Sequence, residues 1–492
     1  MATVLAQRPT DWGITPVLYV IGWLMVLLGV SMLVPTVTDL VEGNPDWQAF
    51  VTAGLLTGFI GSLLILTHRR PKLQLQFRHV FLLTALSWVV LCVFAALPFQ
   101  FGHFRLSMTD AVFETMSALT TTGSTVIVGL DTAPKGVLLW RSLLQALGGV
   151  GIIVMAIVLL PFLRVGGMQL FRSESSDRTD KLFPNTTQLM TRIFGVYVGL
   201  ILACTVALAA VGFSLFDAAN HAMAAVATGG FSTRDASLGA FANPAADWIL
   251  VLFMLAGGMP LTRFVAIIQG RPQLFWRDSQ IRLYVLFCLL ASLVLAGWLI
   301  ASQDRAPLDA LRAAAFNAVS IITTTGFASE DYQLWGPPAV ALFLALTIVG
   351  GCTGSTAGGI KMFRFQILWT SAQLYLTGLF LPNRVARPRY AGKPIDNDII
   401  FAVLSFVFFY IGTWGLFTVL LGALGLDLVT ALSATATALG NVGPGLGPIV
   451  GPAGNFAPLS DPVKWLLTFA MLLGRLEFFT VLVLLHPAFW RR

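Results

Sequence analysis

Charge is what this chain lacks most. Charged residues make up 11% of its 492 positions, against about 25% in an ordinary soluble domain. That deficit excludes a water-soluble enzyme. Disorder is excluded too: 57% of the residues are hydrophobic and mean hydropathy is +0.82, far too much apolar surface to stay solvated. Cysteine is rare. Cys92, Cys204 and Cys288 lie inside apolar runs, and with Cys352 they make no pair of metal-ligand spacing. They read as small core residues and say nothing about compartment. A signal peptide is not expected. The first apolar run, Val17 to Val34, is too long for one and has no small-residue cleavage site before Asp39.

What the chain has is apolar runs. They fall near 17–36, 50–67, 80–98, 137–163, 193–213, 247–269, 281–301, 338–349, 360–381, 399–424 and 463–486. A bilayer span takes about 20 such residues. Only helices and closed barrels satisfy the backbone in lipid, and no period-2 alternation suggests a barrel. The reading is therefore an all-α polytopic membrane protein. The net charge of +7, from 30 Lys+Arg against 23 Asp+Glu, is explained by basic cytoplasmic loops and not by nucleic acid. Those loops hold Arg69, Arg70, Lys72 and Arg78; Arg164, Arg172, Arg178, Lys181 and Arg192; Arg271, Arg277 and Arg282; Arg384, Arg387, Arg389 and Lys393; and Arg491 with Arg492. Acids dominate the alternate, outer loops. From a cytoplasmic N-terminus every basic loop falls inside, and the C-terminus is cytoplasmic as well.

Four outer connections each hold a short apolar stretch followed by a Gly/Thr cluster. They read FETMSALTTTGST, NHAMAAVATGGFST, FNAVSIITTTGFAS and SATATALGNVGPG, aligned on Gly123, Gly230, Gly326 and Gly443. The stretches are too short to span and too apolar for plain loops, which is the character of re-entrant segments. A unit of helix, short helix, turn and helix thus recurs four times. The expected boundaries are a leading helix pair at 1–75, then units at 76–165, 166–270, 271–385 and 386–492, the third with a broken second helix.

Four short helices ending at mid-membrane point their negative dipole ends at one centre. The turns that follow can run extended with inward carbonyls, because glycine tolerates the necessary dihedrals. Carbonyl rings replace the hydration shell of an alkali cation. Acids, which suit divalent ions, are missing from the turns. A monovalent cation is expected at Thr121, Thr122 and Gly123; Thr228, Gly229 and Gly230; Thr324, Thr325 and Gly326; and Asn441, Val442 and Gly443.

These residues carry a resemblance. The segments TTTGSTVIVGLD (120–131), VGGMQLFRSE (165–174), GGFSTRDASLG (229–239), TTTGF (323–327), GGCTGSTAGGIK (350–361), NVGPGLG (441–447) and GRLEFFTVLVLLHPAFWR (474–491) resemble the TrkH type of the Trk/Ktr/HKT potassium-transporter superfamily over nearly the whole chain. The resemblance implies four pseudo-repeats of helix–pore loop–helix around one pore, after two extra transmembrane helices. It implies potassium uptake across the inner membrane of a bacterium, with potassium as the transported ion. The implied partners are a second copy of the chain, membrane lipid and a cytosolic ring of TrkA-type nucleotide-binding subunits. No organic cofactor is expected in this chain. In the plant branch a serine at the first turn glycine goes with sodium; Gly123 favours potassium. The fourth turn departs from the pattern, with Gly440, Asn441 and Val442 where the first and third have threonines.

The stretch from Pro338 to Leu381 is too long for one ~30 Å span and is interrupted by Gly350, Gly351, Gly354, Ser355, Thr356, Gly358 and Gly359. Irregular backbone at that depth needs protein or a water-filled cavity beside it, so the segment is expected to line the pore beneath the third turn. The resemblance implies that this loop is a gate. It lacks the ending of a phosphate-binding loop. Arg475, within the last apolar run, costs about 2.5–3.5 kcal/mol on insertion scales and is placed under the turns as a barrier to cations. Glu477 does not share its helical face. Arg141 and Arg263 are expected to snorkel, and Lys361 and Arg364 to reach the cytosolic face, a regulator or lipid headgroups. Asp131, Asp235, Glu330 and Asp331 follow the turns; they are expected either to form a cation-concentrating vestibule or to be ordinary solvated loop acids.

Two other functions fit a polytopic chain less well. A symporter coupled to sodium or protons needs a second ion site, and no intramembrane acid offers one clearly. An intramembrane enzyme needs a convergent nucleophile, base or metal set. Histidines 68, 79 and 486 flank membrane ends, His103 lies in an outer loop and His221 opens the second short helix, so no such set forms.

Overall fold

The structure is a computed structural model. It describes residues 14–69, 76–159, 186–381, 383 and 388–491. The segment 165–174 and the basic residues Arg70, Lys72, Arg164, Arg172, Arg178, Lys181, Arg384, Arg387 and Arg492 lie outside the described residues.

Among the described residues, seven helices are long and apolar enough to cross a bilayer, or nine if each of two bent pairs is one span. The chain is a multi-pass membrane protein. The leading pair is Thr15–Ser31, continued after Met32 as Leu33–Val41, against Trp47–His68. Glycines bring these helices together. A Cβ on Gly22 or Gly61 would meet the other's carbonyl at 2.8 Å, and one on Gly29 would meet Gly54 O at 2.8 Å. Lipid gives no hydrophobic drive between helices, so close backbone approach supplies the packing energy.

Four units follow. The first contains Phe77–Ala95, the short helix Met108–Leu119 and Lys135–Leu159. The second contains Thr186–Ala210, Leu215–Val226 and the pair Pro244–Gly257 and Leu261–Ile268. The third contains Ser279–Gln303, Pro307–Ile322 and the pair Pro337–Ile348 and Met362–Phe380. The fourth contains Asn397–Ala423, Leu428–Gly440 and the pair Asp461–Arg475 and Phe478–Leu485.

The sequence reading expected one broken second helix, but three are broken. The second unit bends by 98° after Gly257 and the fourth by 110° after Arg475. In the second unit Gly257, Gly258 and Pro260 interrupt the hydrogen-bond ladder, since proline has no N–H to give. In the fourth, Glu477 adopts φ +56°, outside any helix. A second small departure is a hairpin in an otherwise helical chain: Arg389 pairs with Pro394 and Tyr390 with Lys393. Ala391 and Gly392 turn it, both with positive φ, as a two-residue hairpin loop requires.

The short helices have 12, 12, 16 and 13 residues. At 1.5 Å per residue they stop well inside a ~30 Å core. Their starts are written locally. Ser107 accepts from the Asp110 amide, Ser214 from that of Asp217 and Asp427 from that of Thr430, while the third helix begins at Pro307. The second helix of each unit packs on the short helix of the next, and the fourth returns to the first, closing a ring. The apolar core is split accordingly. One cluster joins units two and three, and another joins units four and one with the leading pair.

Candidate functional site

The four short helices end in one backbone conformation. Thr121, Thr228, Thr324 and Asn441 have φ of +51°, +52°, +58° and +53°. Two residues on, Gly123, Gly230, Gly326 and Gly443 have φ of +89°, +72°, +86° and +113°. The register read from the sequence therefore holds in all four turns, including the fourth, where Asn441 replaces threonine. Asparagine is one of the few residues that tolerate this region.

The turns meet around one axis. A Cβ on Gly123 would strike Gly229 O, one on Gly230 would strike Thr325 O, one on Gly326 would strike Val442 O, and one on Gly443 would strike Thr122 O. Each glycine thus abuts the carbonyl of the next turn, and the fourth abuts the first. The carbonyls of Thr122, Thr325 and Val442 have no hydrogen-bond partner among the described residues. Gly229 O accepts from Gln145 Nε2 at 2.6 Å, and Gln145 Oε1 also accepts from the Phe231 amide. Turn 2 is thereby clamped to the second helix of unit one. Asn441 Nδ2 donates to Thr122 Oγ1 at 3.0 Å and to Met471 O at 2.9 Å, so the residue that breaks the pattern ties turn 4 to turn 1.

Directly against these turns lies the glycine loop between Ile348 and Met362. Gly350 N donates to Ile360 O and Ile360 N to Ile348 O, so the loop closes on its own stem. Gly358 N donates to Thr324 Oγ1 at 2.8 Å, Thr228 Oγ1 donates to Thr356 Oγ1 at 3.2 Å, and Gly358 packs against Gly440 O. Turns 2, 3 and 4 are all touched, where the sequence reading placed the loop under the third alone. The broken helix of unit two completes the accounting. Its carbonyls at Gly257 and Gly258 accept from the amides of Thr356 and Cys352, and Gly354 O accepts from Leu261 N. Buried backbone groups freed by one break are satisfied by the other.

Arg475 reaches the same loop. It is 3% exposed and donates from Nη1 to Thr356 O at 2.8 Å. Its Nε and Nη2 have no hydrogen-bond partner among the described residues. It lines a cavity with Gly354, Ser355, Gly358, Gly359 and Lys361. No acid on another helix pairs with it among the described ion pairs.

The family profile described as "TrkH: Cation transport protein" matches residues 46–492. The chain belongs to the TrkH family. It is 45% identical to the "Trk system potassium uptake protein TrkI" of Halomonas elongata over 99% of both chains. It is 37% identical to the "Trk system potassium uptake protein TrkH" of Escherichia coli, covering 96% of this chain and 98% of that one. The crystal structure of "the Potassium Transporter TrkH from Vibrio parahaemolyticus" superposes with a TM-score of 0.89 at 36% identity, over 97% of this chain and 99% of that one.

Other sequence expectations for this TrkH-family chain need correction. Arg141 does not snorkel. It is 1% exposed and its Nε lies 2.8 Å from Glu114, itself fully buried. Glu114 is thus an intramembrane acid that the sequence reading passed over, held by a guanidinium. Arg263 pairs with Asp278 at 2.7 Å. Arg364 does not reach the cytosolic face. It is buried, pairs with Glu477 at 2.8 Å and lies 3.6 Å from the Phe406 ring centre. Lys464, not singled out in the sequence, is buried and pairs with Asp110 at 2.6 Å. A position one residue inside the expected run 463–486 gave no signal for that pairing.

The four acids expected at the vestibule are all engaged. Asp235 accepts from the amides of Gly129 and Leu130, Asp131 pairs with Arg234 at 3.5 Å, Glu330 pairs with Arg305 at 2.6 Å, and Asp331 caps the turn at Gln333. No group of three or more His, Cys, Asp or Glu suited to a metal ion occurs among the described residues.

Proposed function

We propose that this chain carries potassium into the cell across the bacterial inner membrane, with both termini cytoplasmic. The observation that carries the reading is the closed ring of turns, in which each glycine abuts its neighbour's carbonyl. Such a ring offers fixed dipoles without net charge, which suits a weakly hydrated monovalent ion that must also leave. The relatives' names, potassium uptake proteins at 37–45% identity, support potassium as the ion. In this reading the twelve turn residues from Thr121 to Gly443 are the selectivity filter. The short-helix ends add negative dipole potential beneath it.

The glycine loop and Arg475 form the gate. The loop touches three of the four turns, and a buried guanidinium beside it repels cations on the same path. Opening requires the Arg475–Thr356 contact to break and the loop to withdraw. Asp131, Asp235, Glu330 and Asp331 form the outer vestibule, and pairing of two of them with arginines weakens its field. Two copies assemble in the membrane on a cytosolic TrkA-type ring, which supplies the nucleotide control for which this chain has no motif of its own.

Rubidium and potassium uptake into proteoliposomes holding the purified chain tests the reading, with sodium competition and an imposed potential. Uptake that follows the potassium gradient alone is expected. A requirement for a sodium or proton gradient would transfer the reading to symport.

A further inference from the structure

Nine residues before the turn glycines stand Glu114, His221, Asn317 and Ala434. Three of these side chains face the outgoing limb of their own turn. Glu114 accepts from Thr125 Oγ1 and Val126 N at 3.0 and 2.9 Å. His221 Nε2 meets Ser232 Oγ at 2.9 Å. Asn317 Nδ2 donates to Ser329 Oγ at 2.8 Å. In the fourth unit the neighbouring Ser433 takes the task, accepting from Leu446 N at 2.8 Å. One position thus fastens the outgoing limb to its helix in three units, and its neighbour does so in the fourth, with different chemistry in each.

The first fastening is ionic and does not stop at its own turn. Arg141 holds Glu114 through Nε, donates from Nη2 to Thr125 Oγ1 at 3.2 Å and from Nη1 to Ser232 O at 2.9 Å. Its guanidinium also lies 4.0 Å from the centre of the Phe231 ring. Phe231 and Ser232 directly follow Gly230. Arg141 therefore spans the seam between turns 1 and 2, the seam at which Gly123 abuts Gly229 O. At the turns themselves the other seams carry neutral hydrogen bonds, Leu238 N to Ala328 O, Gly447 N to Gln333 Oε1, and Ser124 Oγ to Gly443 O; the ion pairs Lys464–Asp110 and Arg312–Asp247 join those units through helix side chains and do not reach a turn.

We infer that the Glu114–Arg141 pair is a specificity-determining strut, which sets the spacing of turns 1 and 2, and so potassium over sodium selectivity, without touching the ion. The inference rests on the turns being the filter. The chemistry follows from geometry. A planar guanidinium makes three directed bonds that a lysine ammonium cannot reproduce. Selectivity depends on the size of the carbonyl cage or on how many carbonyl dipoles it presents, and both change if one seam opens. A role in folding alone would lower the flux of both ions together and leave their ratio unchanged.

The test is the potassium-to-sodium permeability ratio from bi-ionic reversal potentials in reconstituted membranes. Arg141→Lys keeps the charge opposite Glu114 and loses the reach to Ser232. Its ratio is expected to fall by about tenfold, the usual scale for outer-shell partners of an ion site, with potassium conductance retained. If Glu114→Gln strands the arginine and the protein does not fold, the double variant Glu114→Gln/Arg141→Met removes both charges at similar volume, and its ratio should also fall. A wild-type ratio in folded Arg141→Lys or in the double variant overturns the inference alone. A wild-type protein with no preference between the two ions overturns the filter reading along with it.

Discussion

Arg475 and Thr356 are joined by one hydrogen bond, from Nη1 to the threonine carbonyl at 2.8 Å. They stand 119 residues apart in the chain and belong to different pseudo-repeats. One is the last residue of a broken helix and the other the middle of a glycine loop. The bond fastens the loop, while the other two guanidinium nitrogens have no hydrogen-bond partner among the described residues.

Replacing Arg475 with alanine should raise basal flux. A charge-assisted bond contributes about 1.5–3 kcal/mol, so the closed state should lose about tenfold or more of its weight. Rubidium uptake without any partner subunit measures this. Flux at or below the wild-type level, in protein that elutes as a single species, would remove the gating role.

Thr356→Val keeps the shape and deletes the hydroxyl. That hydroxyl faces Val226 O at 3.0 Å and Gly257 O at 3.1 Å. Leaving buried carbonyls short of a donor costs about 1–3 kcal/mol. Basal flux should rise, though less than in Arg475→Ala, whose charge also leaves. If melting temperature falls and flux does not move, the loop is a structural plug and not a gate.

Gly123→Ser should raise sodium permeability relative to potassium. A side chain there strikes Gly229 O and holds φ at +89°, a conformation costing about 1–2 kcal/mol in a non-glycine residue. Since 1.4 kcal/mol is a factor of ten, a shift of about 5-fold to about 30-fold is expected. Reversal potentials in mixed sodium and potassium report it. An unchanged ratio would take the first turn out of the filter.

Gly61→Val should loosen the leading helix pair and leave the pore alone. The new Cβ would lie 2.8 Å from Gly22 O and 2.9 Å from Met25 Cβ. Overpacking of this kind costs about 1–3 kcal/mol. Melting in detergent should move down while the permeability ratio stays. A changed ratio would show that the pair supports the filter directly.

The membrane class, the fourfold unit and the register of the four turns were all legible in the chain. Each rests on a local cause: apolar length, short helices between them, and glycine wherever a left-handed turn is needed. Breaks at Gly257 and Arg475 were harder to see, because the runs 247–269 and 463–486 stay apolar across them and hydropathy does not register a bend. Arg364 read as a surface residue because its partner Glu477 is 113 residues away.

Residue type and spacing were enough to give a multi-pass membrane protein with four re-entrant turns and the expectation of a monovalent cation, because burial in lipid and carbonyl chemistry are local properties. Which groups meet is a matter of long-range packing. The contact of each glycine with the next turn's carbonyl, the glycine loop against three turns, Arg475 on Thr356, and Arg141 between Glu114 and Ser232 all join distant parts of the chain. Such pairings depend on how four repeats close around an axis. No local propensity encodes that closure; it arises when the second helix of each unit packs on the short helix of the next.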